Sequence, residues 1–355
     1  MLTTQAPKIL IVGNLGYIGS ALIADLRKKY PKSYLTGFDI GYFSGCIFSP
    51  LGTSDYLLNE QLYGDVREFR YESLEGIDSV VYLAAISNDP MGNAYSEETH
   101  QINALSAINI AIEAKSRGVK SFVFASSCSI YGAGGDEIRT ESSAVQPLTS
   151  YAKSKVEAEN RLMNIADSKF VITCLRFATA CGASPRLRLD LVLNDFVANA
   201  LLNKKIDILS DGTPWRPLIA VQDMCEAIDW AINRSADNGG SFLPINTGFS
   251  DWNFTVKDIA QMVSNAILGT RININPAAQV DKRSYKVDFS LYQTLSGNIS
   301  PRMSMTDTIL ALKYLISESD FKDQNYRDSL FIRLHALRSL VGKGLLDQSL
   351  QWKSS

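Results

Sequence analysis

A chain of 355 residues, 46% hydrophobic and 20% charged, can bury a large core and exceeds the roughly 100 to 200 residues typical of one domain. Its formal net charge of −2 and pI near 5.8 supply no long-range attraction for nucleic acid or an anionic membrane, so neither partner is expected and any anion site must be local. Cys46, Cys128, Cys174, Cys181 and Cys225 are odd in number and scattered without a C-x-x-C pair, which argues for free thiols and against disulfides or a metal centre.

The opening residues lack the basic start and apolar core of a signal peptide, and no apolar run has the length of a membrane span. A soluble, cytoplasmic protein is expected. From Lys8 to Phe177, short β-rich runs alternate with segments of helical period, the pattern of a parallel sheet covered on both faces. The expected strands are Ile9–Val12, Tyr34–Asp39, Ser79–Ala84, Ser121–Ala125 and Phe170–Leu175; their unbroken apolar character marks them as buried. The expected helices are Tyr17–Lys29, Glu98–Arg117 and Tyr151–Ile165. After Arg176 a Gly-, Pro- and Arg-rich loop, Cys181–Asp190, opens a second lobe with helices over Leu191–Leu202, Val256–Ala266 and Met305–Ser317 and strands over Trp215–Val221 and Phe242–Asn246. The expected division is a dinucleotide-binding domain over 1–180, to which strands near 215–250 return, and an interleaved substrate lobe over 181–355. Tyr326–Leu350 reads as one or two amphipathic helices without an assigned role.

Three groups of residues carry chemistry. Gly13-Asn14-Leu15-Gly16-Tyr17-Ile18-Gly19 joins a buried strand to a helix, where Gly13 permits the tight turn, Gly16 lets a pyrophosphate approach and Gly19 packs helix on sheet. Asp39 ends the next strand, where a carboxylate accepts ribose hydroxyls, and Ile40-Gly41-Tyr42 supplies no arginine for a 2′-phosphate, so the expected cofactor is NAD. Tyr151 and Lys155 stand four apart on one helix face; a lysine beside the phenol is expected to bring the tyrosine pKa down toward that of a general base. Phe124-Ala125-Ser126-Ser127-Cys128-Ser129-Ile130-Tyr131-Gly132 ends the fifth strand on the carboxyl edge of the sheet, where ligands of α/β folds bind.

The Gly-x-x-Gly-x-x-Gly spacing and the Tyr-x-x-x-Lys pair resemble the extended short-chain dehydrogenase/reductase family, and the Ser-Ser-x-x-x-Tyr-Gly element resembles its nucleotide-sugar epimerase and dehydratase group, of which UDP-galactose 4-epimerase is one. The resemblance implies a Rossmann-type doubly wound α/β fold with a smaller mixed α/β substrate lobe, and a catalytic set of Ser127, Tyr151 and Lys155. It places Asp65 and Val66 at the adenine, Leu83, Ala84 and Ala85 on the nicotinamide side, and Asn103 near the cofactor; Asp65 could equally be a turn residue and Asn103 a structural one. It also implies a nucleotide-diphosphate sugar as substrate, with Ser87, Ser127, Cys128, Ser129, Thr179 and Asn194 in its pocket.

Arg216, in Asp211-Gly212-Thr213-Pro214-Trp215-Arg216-Pro217, resembles the family's phosphate-binding arginine, and Arg283 is a weaker second candidate. The competing reading pairs Arg216 with Asp211 or Asp223. Where the family commonly has Asn after Arg176, this chain has Phe177-Ala178-Thr179. The group's dehydratases carry Asp and Glu directly after the catalytic hydroxyl; Cys128 and Ser129 stand there instead, which argues against elimination of water. The sequence therefore points to an NAD-dependent C4 epimerase, with an NAD(P)H-dependent 4-ketosugar reductase or a non-catalytic relative as alternatives, and to a homodimer paired through the helices that carry Asn103 and Tyr151.

Overall fold

The computed structural model describes residues 6–48, 52–132, 137–274 and 284–353. In chain order, β1 (Lys8–Val12), α1 (Tyr17–Lys29), β2 (Tyr34–Asp39), β3 (Glu60–Tyr63) and β4 (Ser79–Tyr82) are followed by α2 (Asp89–Ala94), α3 (Ser96–His100), α4 (Ala107–Ser116), β5 (Ser121–Ser127) and the short β6 (Ile138–Arg139). Then come α5 (Ser150–Leu162), β7 (Val171–Phe177), β8 (Thr179–Cys181), α6 (Val192–Asn203), β9 (Lys205–Ile208), β10 (Trp215–Ala220), α7 (Val221–Asn233) and β11 (Phe242–Thr247). The chain closes with β12 (Asn253–Thr255), α8 (Val256–Ala266), β13 (Arg271–Ile274), β14 (Lys286–Val287), α9 (Ser290–Leu295), α10 (Met305–Glu318) and α11 (Arg333–Gly342).

Seven parallel strands form the main sheet in the order β11-β7-β5-β4-β1-β2-β3. The order reverses between β1 and β4, the switch point at which a doubly wound sheet opens a crevice beyond its carboxyl ends. Side chains alternate across this sheet. Ile9, Ile11, Val81, Val123 and Leu175 enter one core with α1 and α7, while Leu10, Val12, Val80, Phe122 and Ile172 enter the other with α4 and α5. Burial on both faces explains why these strands read as continuous apolar runs.

The two late strands part company. β11 adds to the main sheet beside β7, whereas β10 joins β8 and β12 in a separate three-stranded sheet. The helix between them, α7, packs on α1. A third core, gathered around Leu193, Val197, Leu218, Ile259 and Leu312, sits under α6, α8 and α10. The helix expected over Glu98–Arg117 is interrupted: residues Gln101–Ser106 adopt π-helical geometry between α3 and α4. The C-terminal region holds one short turn at Tyr326–Asp328 and a single helix, α11. All five cysteines are buried free thiols, and no helix of the described residues is long and apolar enough to cross a membrane.

Candidate active site

Two adjoining cavities lie at the carboxyl edge of the main sheet. The smaller, about 130 Å³, is lined by Gly13, Gly16, Tyr17, Ile18, Gly19, Asp39, Asp65, Val66, Leu83, Ala84 and Ala85. The larger, about 830 Å³, is lined by Ser127, Ser129, Tyr151, Lys155, Ser87, Thr179 and Arg216. Ile18, Leu83, Ala85, Ser87, Ala180 and Arg188 border both, so one extended ligand can pass from the first into the second.

The smaller cavity follows from the glycine turn. Gly13 has φ of +89°, and a Cβ there would fall 2.4 Å from the Ala84 amide nitrogen, because the residues after β4 close directly on the turn. The Leu83 and Ala84 amides both donate to the Val12 carbonyl, which fixes that approach. A Cβ on Gly19 would meet the Asn14 backbone at 2.4 Å, so α1 can leave the turn only from glycine. Asp39 lies across the turn and accepts the Leu15 and Gly41 amides at 2.9 and 2.8 Å. Burial raises its carboxyl pKa, against the lowering pull of those two amides and of Arg186. Asp65 caps the turn after β3 through the Arg67 amide and holds the Arg67 guanidinium with both carboxylate oxygens.

The larger cavity is built on β5 and α5. Thr149 caps α5, and its hydroxyl accepts the Ala152 amide, so Tyr151 and Lys155 project from the first two turns. Glu159, one turn beyond Lys155, takes both branches of the Arg176 guanidinium from β7 and the Ser126 hydroxyl from β5 at 2.5 Å. This buried set fixes the catalytic helix against the strand ends. Ser127 accepts the Ser129 amide at 3.1 Å and hydrogen-bonds Tyr151 through its hydroxyl, an interaction that pulls the phenol pKa down.

Burial outweighs that pull. The Tyr151 phenol is pushed up to about 12, with Ser127 and then Arg188 opposing the rise, instead of falling as the Tyr-Lys spacing suggests. Lys155 shifts in the opposite direction. Its Nζ sits 4.6 Å from the Phe124 ring centroid and 5.6 Å from that of Tyr151, and burial drops its pKa to about 7, so it carries only part of a charge near neutrality.

Several expected roles change. Cys128 does not line the cavity: its thiol is buried, donates to the Arg176 carbonyl at 3.0 Å and is pushed up well above its ordinary pKa by burial. Ser127 and Ser129 line the cavity, while Cys128, Ile130 and Tyr131, in the 3₁₀ turn Cys128–Tyr131 that follows β5, are buried in the core that α1 and α7 share with the sheet. Asn194 is wholly buried, accepting the Gly182 amide and donating to the Arg188 carbonyl, so it shapes the Cys181–Asp190 loop from behind. Asn103 is equally buried; it pairs with both backbone groups of Ile86 and donates to Ser154, tying the loop after β4 to α5. Arg216 lines the cavity and donates to the Trp215 carbonyl; Asp211 instead accepts Thr213 and Asp223 accepts the Arg302 amide. Arg283 lies outside the described residues.

The basic loop divides its labour. Arg186 is locked into Asp55 and Ser20 and holds the loop onto α1, whereas Arg188 reaches between the cavities, donating to Ser87 and pairing with Asp190. Asp190, itself held by Asn88, and Arg333 of α11 are wall residues that local patterns did not single out. Ser129 Oγ and Arg333 Nη1 are buried in these walls without a hydrogen-bond partner among the described residues. An acceptor-rich ligand of two linked nucleotides suits such donors, together with the bare glycine turn and Asp39.

A doubly wound sheet with a glycine turn at its first crossover and Ser127, Tyr151 and Lys155 around one cavity defines a dinucleotide-dependent α/β enzyme. The chain belongs to the NAD dependent epimerase/dehydratase family, whose sequence profile matches residues 9–243. NAD is that family's cofactor. The chain is similar to a Bacillus subtilis protein described as the uncharacterized UDP-glucose epimerase YtcB, 30% identical over 64% of this chain and 73% of that protein. It is also similar to a Mus musculus dTDP-D-glucose 4,6-dehydratase, 26% identical over 69% of each chain. Among solved structures, the UDP-N-acetylglucosamine 4-epimerase of Methanobrevibacter ruminantium M1 superposes with a TM-score of 0.74 at 20% identity, over 89% of this chain and 100% of that one. MoeE5 in complex with UDP-glucose and NAD superposes with a TM-score of 0.73 at 23% identity, over 87% and 98%. Both share the fold.

Proposed function

We propose that the protein is an NAD-dependent epimerase of a nucleotide-diphosphate sugar, inverting C4 through a transient 4-keto sugar. NAD, when bound, takes the hydride from the sugar carbon and returns it. The observation that carries the reading is the pairing of a Ser127–Tyr151–Lys155 set with the absence of a carboxylate at the two positions after Ser127, where Cys128 turns into the core and Ser129 offers only a hydroxyl.

Tyr151 takes the proton of the C4 hydroxyl as the carbon is oxidised and gives it back when the carbon is reduced on its other face. Ser127, already accepting from the Ser129 amide, has its own proton available for the sugar oxygen or the phenolate. Lys155 and Arg188 supply the positive charge that a buried phenolate needs. The acidic residues of the cavity wall already have partners: Asp190 pairs with Arg188, Asp195 with Arg327 and Asp207 with Lys205, and Asp89 accepts the Thr149 hydroxyl. That leaves elimination of water without the acid and base it requires. Thr179, Ser129, Ser87 and Arg216 are the proposed contacts to sugar and diphosphate, with the cavity's volume within the usual range for such ligands.

Incubation of the purified protein with a panel of nucleotide sugars is the test. Appearance of the C4 epimer without added cofactor supports the reading; a dehydrated product, or conversion only with stoichiometric reduced cofactor, overturns it. We also propose a cytoplasmic homodimer paired through the helical segments that carry Asn103 and Tyr151, where Ile112 of α4 and Met163, just past α5, are exposed apolar side chains.

A further inference from the structure

The chain beyond α10 lies outside the matched family range, yet it forms part of the smaller cavity. From Tyr326 to Lys353 it folds back over the end bounded by Asp39, Tyr42 and Asp65. The Leu330 carbonyl accepts the Cys46 thiol and the Phe331 carbonyl the Leu189 amide. Farther on, the Leu350 carbonyl accepts the Tyr42 hydroxyl, the Ser349 carbonyl accepts Arg67, and the Trp352 indole donates to the Ile40 carbonyl at 2.8 Å. Leu337, Leu346 and Leu350 share a small core with Tyr42, Ile86 and Met91. The segment is thus fastened to the residues that follow β2, β3 and β4.

At the first position of α11, Arg333 is 1% exposed and lines the cavity. Its Nη2 donates to the Arg186 carbonyl at 2.9 Å and its guanidinium carbon lies 4.8 Å from the Phe43 ring centroid, but Nη1 has no partner among the described residues. No carboxylate among the described residues forms an ion pair with it; Asp190, which attracts it, is paired with Arg188. Burial drives its pKa down to about 10, with Arg188 and Arg186 adding to the fall and the Cys46 thiol and Asp190 opposing it. A buried guanidinium with an unused donor is costly unless an anion completes it. Arg186 also has an unpartnered Nε, but it is paired with Asp55 and does not line the cavity.

We propose that Arg333 donates to the diphosphate of the bound dinucleotide, making the C-terminal segment a wall of the cofactor site. Arg333 lies between the Phe43 ring, which follows Asp39, and the Arg186 carbonyl, on the side of α1, and the diphosphate is the anion that runs between those two ends. The backbone carbonyl it binds belongs to Arg186, whose side chain grips Ser20 of α1, while Ser184 Oγ donates to the Tyr17 carbonyl; both contacts are in the opening turns of α1. The free N–H groups of that turn receive phosphates. Asp39, by contrast, brings negative charge to the ribose end.

The inference rests on NAD as cofactor, not on epimerisation, and its test reads binding without turnover. Full-length protein stripped of nucleotide is titrated with NAD, ADP-ribose, NADP and adenosine, in wild type, Arg333→Met and Arg333→Lys. The expected result is about a 10- to 100-fold loss of affinity for NAD and ADP-ribose in Arg333→Met, as for a lost charge-assisted hydrogen bond, with adenosine binding unchanged. Arg333→Lys, which keeps the charge, loses less and covers the case in which the methionine variant fails to fold. Unchanged NAD affinity in either folded variant overturns the proposal. So does an equal loss for adenosine, which would make Arg333 only a prop for the wall, or a loss confined to NADP, which would move its contact to the ribose phosphate.

Discussion

At the residue scale, the two catalytic ionisations are set by burial against a few polar contacts. The Tyr151 phenol, pushed up to about 12 by burial, is too weak an acid to serve as a base near neutrality until positive charge is added beside it. The absorbance difference between wild type and Tyr151→Phe at the phenolate band is expected to show no ionisation below about pH 10 without NAD and a lower one with it. Turnover in Tyr151→Phe should fall by about 10²- to 10⁴-fold, the usual contribution of a positioned proton carrier. Ser127 pulls the phenol pKa down, so Ser127→Ala should move the rising limb of the pH–rate profile to higher pH; a limb that does not move would show that Ser127 has no hold on the phenol.

Lys155 has the opposite shift. Both folded and unfolded chains carry its proton below about pH 7, where the cost of burying the charge is fully present. Between there and the ordinary lysine value of 10.5 the folded protein sheds the proton first, so its stability rises with pH through this window and levels off above it. At about 1.4 kcal/mol per pKa unit the effect is a few kcal/mol. Urea denaturation of cofactor-free Lys155→Met should show higher stability than wild type at pH 7 and a difference that shrinks toward pH 10.

At the scale of elements, α5 is placed by the Arg176–Glu159 pair, which joins β7 to the helix within one turn of Lys155. Removing one partner leaves a buried charge, so Glu159→Leu should cost about 3–5 kcal/mol in denaturant unfolding, well beyond a surface ion pair. The glycine turn, Asp39, Ser127 and the Tyr151–Lys155 pair could all be read from the chain, because each lies within one strand–turn–helix unit whose geometry is local. The inward turn of Cys128 could not, because β5 gives way after Ser127 to a 3₁₀ turn, Cys128–Tyr131, that carries the thiol into the core beside Ile130 and Tyr131. Nor could other features. The π-helical segment at Gln101–Ser106, which presents Asn103 to Ile86 and Ser154, leaves no mark on the apolar pattern. Asn194 sits on a strongly apolar helix, and only the loop it supports shows that its amide serves backbone groups.

At the scale of the whole molecule, the site is assembled by long returns of the chain. Arg188 comes from the loop after β8 and Arg333 from α11, 320 residues after Gly13 in the same cavity wall. No local spacing could announce either, although the density of arginine in Ser184–Asp190 marked the loop as unusual. The doubly wound parallel sheet was legible from the β/α alternation and the glycine turn, whereas the departure of β10 into a second sheet was not, since a buried apolar strand reads alike in both. Pairing through the helical segments that carry Asn103 and Tyr151 predicts a dimer by sedimentation, converted toward monomer by Ile112→Glu; an unchanged sedimentation coefficient in the variant would place the interface elsewhere.

The central claim, that hydride leaves C4 and returns to C4, is tested most directly with a nucleotide sugar deuterated at that carbon. We expect the C4 epimer, followed by NMR in ordinary water, to keep its deuterium at C4. Deuterium lost to solvent, or found on another carbon of the product, would contradict the mechanism.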